Sequence, residues 1–193
     1  MRRAEKKQYL IDTAIQLFNR HGYHATGIDR LMEETGIAKT TLYRHFASKE
    51  DLIIAALAKV DEQARDEMRA FVEAASDDPR ERILATFGQL DIWLQDAEFK
   101  GCPFMAAAGE YGAPGGAGVG AGDPVFQQVL LHKRLYLAFF EELVRAARIP
   151  HAKTVAQQLV MLHEGAIAFA QVLGPNGVAV TARRAAERLI AAA

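Results

Sequence analysis

Apolar residues recur along this chain at the three- and four-residue spacing of amphipathic helices, and no alternating apolar and polar stretch is long enough to argue a sheet. The pattern predicts an all-α protein. Leu10, Ala14, Leu17 and Phe18 share one face of a first helix over about Arg3 to His21, with Gly22 as its stop. Thr26 followed by Asp29 predicts a second start, with a helix over about Gly27 to Glu34: the hydroxyl accepts an orphan backbone N–H and the carboxylate favours the positive helix end. Gly36 permits a sharp turn into a third helix over Ile37 to His45. Ser48, with Asp51 three residues on, opens a fourth that carries Leu52, Ile53, Ala56, Leu57 and Val60 toward Phe71. No flexible linker interrupts this helix, so it offers a path by which motion in one half passes to the other.

Past Asp78-Pro79 a helix to about Ala97 shows Ile83, Leu84, Phe87, Leu90 and Leu94 at helical spacing. Gly101-Cys102-Pro103-Phe104 then turns into a short apolar helix ending near Tyr111, and the Gly/Ala-rich stretch from Gly112 to Gly122 reads as a mobile loop. Two long helices follow, about Pro124 to Ala147 and His151 to Leu173, separated by Ile149-Pro150; a last one covers about Thr181 to Ala193. No internal repeat signals a solenoid.

The stretch Gly27 to Phe46, GIDRLMEETGIAKTTLYRHF, has the layout of a helix-turn-helix, with a glycine in its turn. If Ile28, Leu31, Ile37, Leu42 and Phe46 face inward, Lys39, Thr40, Thr41, Tyr43, Arg44 and His45 project outward, a surface of donors with no carboxylate. Such a face suits a major groove, where Lys and Arg bond guanine edges and Thr touches a thymine methyl. A solvated helical hairpin that binds no DNA shows the same pattern and stays open at this point.

The run from Thr26 through Gly36-Ile37-Ala38-Lys39-Thr40-Thr41-Leu42-Tyr43-Arg44-His45-Phe46 to Ser48-Lys49-Glu50 resembles the TetR family of transcriptional regulators over about the first 57 residues. The LYRHFASKEDL stretch is specific to that pattern; past residue 60 the match is looser, and GCPFMAAAGEY resembles a motif of one family branch without naming a ligand. The resemblance implies a homodimer that places its third helices in successive major grooves of double-stranded operator DNA. It also implies a C-terminal body that binds a small-molecule effector and changes the spacing of the two heads. Carried over by position, Lys39, Thr40 and Arg44 read bases, and Thr26, Thr41, Tyr43, His45 and Lys49 contact phosphates. Thr26 and Lys49 lie at helix starts, where N–H groups favour phosphate, and Lys39 and Arg44 are long enough to reach base edges. Ala38 departs from the family, which often has a capping Ser there; the missing cap costs the helix about 1 kcal/mol. The chain thus divides into a helix-turn-helix DNA-binding domain at 1–50 and a helical effector-binding and dimerisation domain at 51–193.

Charge sharpens this division. Residues 1–50 hold nine Lys/Arg against six Asp/Glu, so the net charge of −1 for the chain conceals a basic start on an acidic body. Arg2, Arg3, Lys6 and Lys7 either extend an arm along the DNA or form a frayed, solvated end. A single cysteine, Cys102, excludes an internal disulfide and a cysteine zinc cluster, which points to the cytoplasm. No apolar run reaches the roughly 18 residues of a membrane span, and no signal-peptide core follows the charged start.

The second domain is rich in large apolar residues, and Phe87, Trp93, Phe104, Met105, Tyr136 and Phe139 are candidates to line a pocket for an apolar or aromatic effector, with Glu110, His132 and His163 as orienting polar groups. With Glu164, the same polar residues raise a metal-responsive alternative. His163 and Glu164 are adjacent and point to different helix faces, and no H-x-x-x-H pair exists, so neither a metal nor a cofactor is expected. Cys102 is either a thiol-redox sensor or an inert buried thiol; Lys100 is the basic residue beside it in sequence. An enzyme using Cys102 with His132 or His163 lacks a third orienting partner and leaves the DNA motif unexplained. A helical adaptor stays open as a second rival, distinguished by whether the protein shifts duplex DNA in a salt-dependent manner. Helices 151–173 and 181–193 fit a four-helix dimer interface, with Gly165, Ala166, Ala168 and Ala170 allowing close approach and Leu159, Leu162, Phe169, Leu189 and Ile190 supplying apolar area. A purely internal bundle would look similar. The reading is a ligand-responsive repressor with no catalytic residues.

Overall fold

The computed structural model describes residues 2–112 and 122–193, so the predicted loop from Gly112 to Gly122 lies, apart from its two ends, outside the described residues. Regular structure among the described residues is helical throughout: α1 (Arg3–His21), α2 (Ile28–Thr35), α3 (Lys39–Tyr43), α4 (Lys49–Ala75), α5 (Pro79–Leu94), α6 (Pro103–Tyr111), α7 (Pro124–Ala146), α8 (Ala152–Leu173) and α9 (Val178–Ala192). No helix among these residues is long and apolar enough to cross a membrane.

The chain forms two compact units, Met1–Glu62 with Pro103–Leu131, and Gln63–Cys102 with His132–Ala193. Compactness therefore does not divide at residue 50. With no Gly or Pro to break it, α4 runs uninterrupted from Lys49 to Ala75 and contributes to both units, and α6 joins the first unit from far along the chain.

In the first unit, α1 packs on α2 and α2 on α3. Leu10, Ala14, Leu17 and Phe18 of α1, Leu31 of α2, Leu42 of α3, Leu52, Ile53, Ala56 and Leu57 of α4, and Phe104 and Ala107 of α6 are buried. The stops are the predicted glycines. Gly22 (φ 86°) closes α1 with its N–H on the Phe18 carbonyl at 2.8 Å, and Gly36 (φ 65°) closes α2 on Met32 at 2.9 Å. Ser48 Oγ accepts the Asp51 N–H at 3.0 Å, the predicted cap of α4. The start of α2 differs from expectation. Its N-cap is Gly27 with no side-chain cap, and the Thr26 hydroxyl instead donates to the Gly22 and Leu17 carbonyls at 2.7 and 3.3 Å.

In the second unit, α5 packs on α8 and α9, and α8 on α9. Asp78 caps α5 by accepting the Arg80 N–H at 2.8 Å, with Pro79 at the first helical position. The helix ends at Leu94, three residues before the predicted Ala97, in a turn where Asp96 Oδ1 accepts the Glu98 N–H at 2.8 Å. Ile83, Leu84, Phe87, Leu90 and Leu94 form its buried face.

Candidate nucleic-acid interface

Helix α3 is only five residues long, and its single buried side chain, Leu42, anchors it. This sets the remaining positions outward: Lys39, Thr40, Tyr43 and Arg44 are exposed, Thr41 and His45 half-buried. The predicted face of donors is therefore present, and Ala38 at the N-cap makes no side-chain bond, as its methyl requires. Lys39 Nζ lies 3.2 Å from Asp29 Oδ1 in an exposed pair, which solvent and salt weaken and a phosphate or base edge can displace. Arg44 folds back on its own helix, Nε 3.4 Å from the Thr40 carbonyl and Nη2 3.3 Å from Thr41 Oγ1.

Around this helix the first unit gathers positive charge. His45 is held below its ordinary pKa first by burial and then by Arg3, Lys7, Arg44 and Lys6, so the start of α1 and the end of α3 share one basic field. Lys7 also stands 5.8 Å over the Phe46 ring. Lys49, half-buried at the start of α4, donates to the His24 carbonyl at 3.2 Å. Of the residues assigned to DNA from the sequence, Thr26 is the one placed differently. Its side chain is fully buried and its hydroxyl spent on two carbonyls, which leaves its backbone rather than its hydroxyl for a phosphate.

The nine residues chosen as an effector pocket are divided by the structure. Phe104, Met105 and Glu110 belong to the first unit and the other six to the second. Glu110 lies against the α1–α2 turn, where its two carboxylate oxygens accept the Tyr23 and His24 N–H groups. Phe87 and Phe104 are buried core, and Met105 is exposed.

His163 is also core, and its bonds fix its tautomer. Thr86 Oγ1 spends its proton on the Ile83 carbonyl at 2.6 Å, so it accepts from His163 Nε2–H at 3.2 Å; Nδ1 then accepts the Tyr136 hydroxyl at 2.9 Å. Phe87 and Phe140 rings lie 4.4 and 5.1 Å from the imidazole. Burial holds His163 neutral, its pKa down to about 3, and pushes the Tyr136 hydroxyl up. Both ring nitrogens are hydrogen-bonded within the second unit. His132 stacks on Tyr136 at 5.9 Å. Trp93, half-buried, meets Phe99 edge-on at 5.0 Å, and Phe99 lines a cleft of about 470 Å³ with Leu94, Asp96, Lys100, Gln171 and Pro175. Phe139 carries Arg69 on its ring at 5.1 Å. Cys102 is buried, and the basic group on it is Lys133, Nζ 3.8 Å from Sγ, rather than the sequence neighbour Lys100; Lys133 is itself paired with Glu164 at 2.6 Å. The described residues hold no group of three or more His, Cys, Asp or Glu arranged for a metal.

An N-terminal three-helix head whose short third helix shows donors outward, followed by a helical body, defines a helix-turn-helix DNA-binding regulator. The model of bacterial regulatory proteins of the tetR family matches residues 10–56. The chain is 31% identical to SCO4454, a TetR-family transcriptional regulator from Streptomyces coelicolor, whose crystal structure matches with a TM-score of 0.82 over 98% of this chain and 96% of that one. It is 32% identical over 108 residues to the HTH-type transcriptional regulator LmrA of Bacillus subtilis, covering 55% of this chain and 57% of LmrA. With the HTH-type transcriptional activator FasR of Mycolicibacterium smegmatis it shares 32% over 83 residues, 43% of this chain and 37% of FasR. The chain thus spans between about a third and somewhat more than half of these two curated relatives. It belongs to the TetR family and is a transcriptional regulator.

Proposed function

We propose that the chain is a ligand-responsive repressor that binds a near-palindromic operator as a homodimer and is released by a small apolar or aromatic effector. The observation that carries the DNA part is α3 itself: Leu42 buried beneath it and Lys39, Thr40 and Arg44 exposed above it, with no carboxylate on the outward face. One such helix reads too few base pairs for useful specificity, which favours two heads on a two-fold site with half-site centres about one helical turn apart or somewhat more. Lys39, Thr40 and Arg44 read bases in this scheme, while Thr41, Tyr43, His45, Lys49 and the Thr26 backbone hold phosphates.

The effector belongs to the second unit, where Trp93 and Tyr136 are the part-exposed aromatic residues among the pocket candidates. Release of DNA requires that the effector prefer a conformation that misfits the operator, so operator DNA must weaken effector binding by the same factor. Sequencing the fragments that the purified protein retains from a random duplex pool tests the reading. A two-fold sequence and strongly salt-dependent binding are expected; retention of fragments with no shared sequence overturns it. Adding apolar and aromatic compounds to the captured complex then tests release, and Trp93→Ala should lose the response while keeping operator affinity.

A further inference from the structure

Helix α6 is fastened at both ends to the turn between α1 and α2, all within the first unit. At its start the Pro103 carbonyl accepts the Tyr23 hydroxyl at 3.0 Å. At its end Glu110 Oε1 accepts the Tyr23 N–H at 2.8 Å and Oε2 the His24 N–H at 2.5 Å, with His24 Nδ1 3.2 Å away. The Tyr111 ring lies on the His24 ring at 4.6 Å. Gly22 is shaped to the same contact: its backbone is left-handed (φ 86°), and a Cβ there would stand 3.0 Å from Glu110 Oε1.

The clasped turn is also where the DNA-binding elements begin. It leads into α2, and the His24 carbonyl accepts Lys49 Nζ from the first residue of α4. Glu110 is close enough for its charge to act on Lys49. A carboxylate so near a phosphate-binding end repels DNA, so its presence there makes physical sense only if the geometry it imposes outweighs that repulsion.

We propose that Glu110 is a positioning residue for DNA binding: its two bonds to the Tyr23 and His24 amides hold the α1–α2 turn, and with it α2 and Lys49, in the operator-binding geometry. The proposal rests on the reading of this unit as an operator-binding head. It differs in sign from a simple charge effect. Glu110→Gln keeps size and shape, but its amide N–H₂ must face one of the two backbone N–H groups, donor against donor, and the charge that strengthens both bonds is gone. Removal of a negative charge alone would tighten DNA binding.

The test uses the whole 193-residue chain and a duplex selected by the wild-type protein from a randomised pool. Glu110→Gln is expected to bind that duplex about tenfold more weakly, with faster hydrogen exchange at the Tyr23 and His24 amides and unchanged protection at Leu31 and Leu42. Gly22→Ala should weaken binding too, and the double variant should lose little beyond the larger single loss, because both act on one contact. Equal or tighter binding by Glu110→Gln overturns the proposal while leaving the operator reading intact. A loss accompanied by deprotection of Leu31 and Leu42 also overturns it, since the head would then have unfolded rather than shifted. A wild-type protein that selects no duplex brings down both readings together.

Discussion

Arg44 and Lys49 carry the same charge in different settings, and in the proposed DNA complex that difference would separate reading from holding. Arg44 is exposed and, among the described residues, bonds back to Thr40 and Thr41 of its own helix; Lys49 is half-buried and pinned to the His24 carbonyl at the start of α4. Arg44→Ala should relax preference at particular base pairs, at about 1–3 kcal/mol per half-site. Lys49→Ala should weaken all sequences alike and reduce the slope of log affinity against log salt by about two per dimer. A panel of single-base-pair operator variants titrated at several salt concentrations checks both, and identical sequence profiles would reverse the assignment. His163 makes a prediction of another kind. The folded chain keeps its imidazole neutral down to about pH 3, whereas the unfolded chain takes up that proton near its ordinary 6.5. Between those values the unfolded state binds the extra proton, so stability falls as pH falls, by at most about 1.4 kcal/mol per pH unit. Denaturant unfolding at pH 7, 5.5 and 4.5 should show a steeper loss for the wild type than for His163→Gln, which has no proton to gain; parallel curves would refute a neutral His163. The outward face of α3 was legible in the sequence because Leu42 and Leu31 fix it locally. The contacts of Glu110 with Tyr23 and of His163 with Thr86 were not, because these partners lie 87 and 77 residues away.

At the scale of elements, local chemistry sets where helices begin and end, and the sequence showed it best where one side chain closes one bond. Gly22, Gly36 and Ser48 act as their residue types demand. Thr26 does not, since a hydroxyl at a helix start can equally donate to carbonyls behind it, and a buried site with two carbonyls in reach decides the matter. Asp78 is the cap most open to measurement, because its bond to the Arg80 N–H is exposed and the change removes nothing from the core. Asp78→Ala should cost about 1 kcal/mol of stability, seen as a lower urea midpoint with an unchanged slope. Asp78→Asn, which keeps the acceptor, should recover most of it, and equal losses in the two variants would argue for charge rather than the bond. Helix α8 shows what spacing alone leaves undecided. Of the residues expected at a dimer interface, Leu159, Ala166, Ala170 and Ile190 are buried within the second unit, while Phe169 is 60% exposed. Met161, Val172 and Leu173 are exposed with it. A helix apolar on two sides has no polar face to mark which side is internal.

For the whole molecule, the class of fold was legible because helical periodicity and the head motif are both local, whereas the joining of 103–131 to the first unit depends on contacts that periodicity does not carry. In the proposed homodimer, assembly would turn on the outer stripe of α8. Met161, Gly165, Ala168, Phe169, Val172 and Leu173 follow one another at helical spacing and are exposed, with Val172 at 80% and Leu173 at 73%. A contiguous apolar patch of this kind suits the proposed interface, where each large side chain fully buried would contribute about 1.5–3 kcal/mol. Gly165 and Ala168 within the stripe let a second helix come close. In a two-fold interface the stripe meets its own copy, so one substitution acts twice. Phe169→Arg would place two guanidinium groups in the desolvated seam without a partner, and because Phe169 touches solvent in the single chain, helix content and monomer stability should hardly change. The variant should run as a monomer by light scattering at micromolar concentration and lose operator affinity by about 10²-fold or more, the gain that linking two half-site contacts provides. Ile92→Arg, on α5 and 64% exposed, should remain a dimer with full affinity. A Phe169→Arg protein that stays dimeric and binds the operator as the wild type does would move the interface off α8.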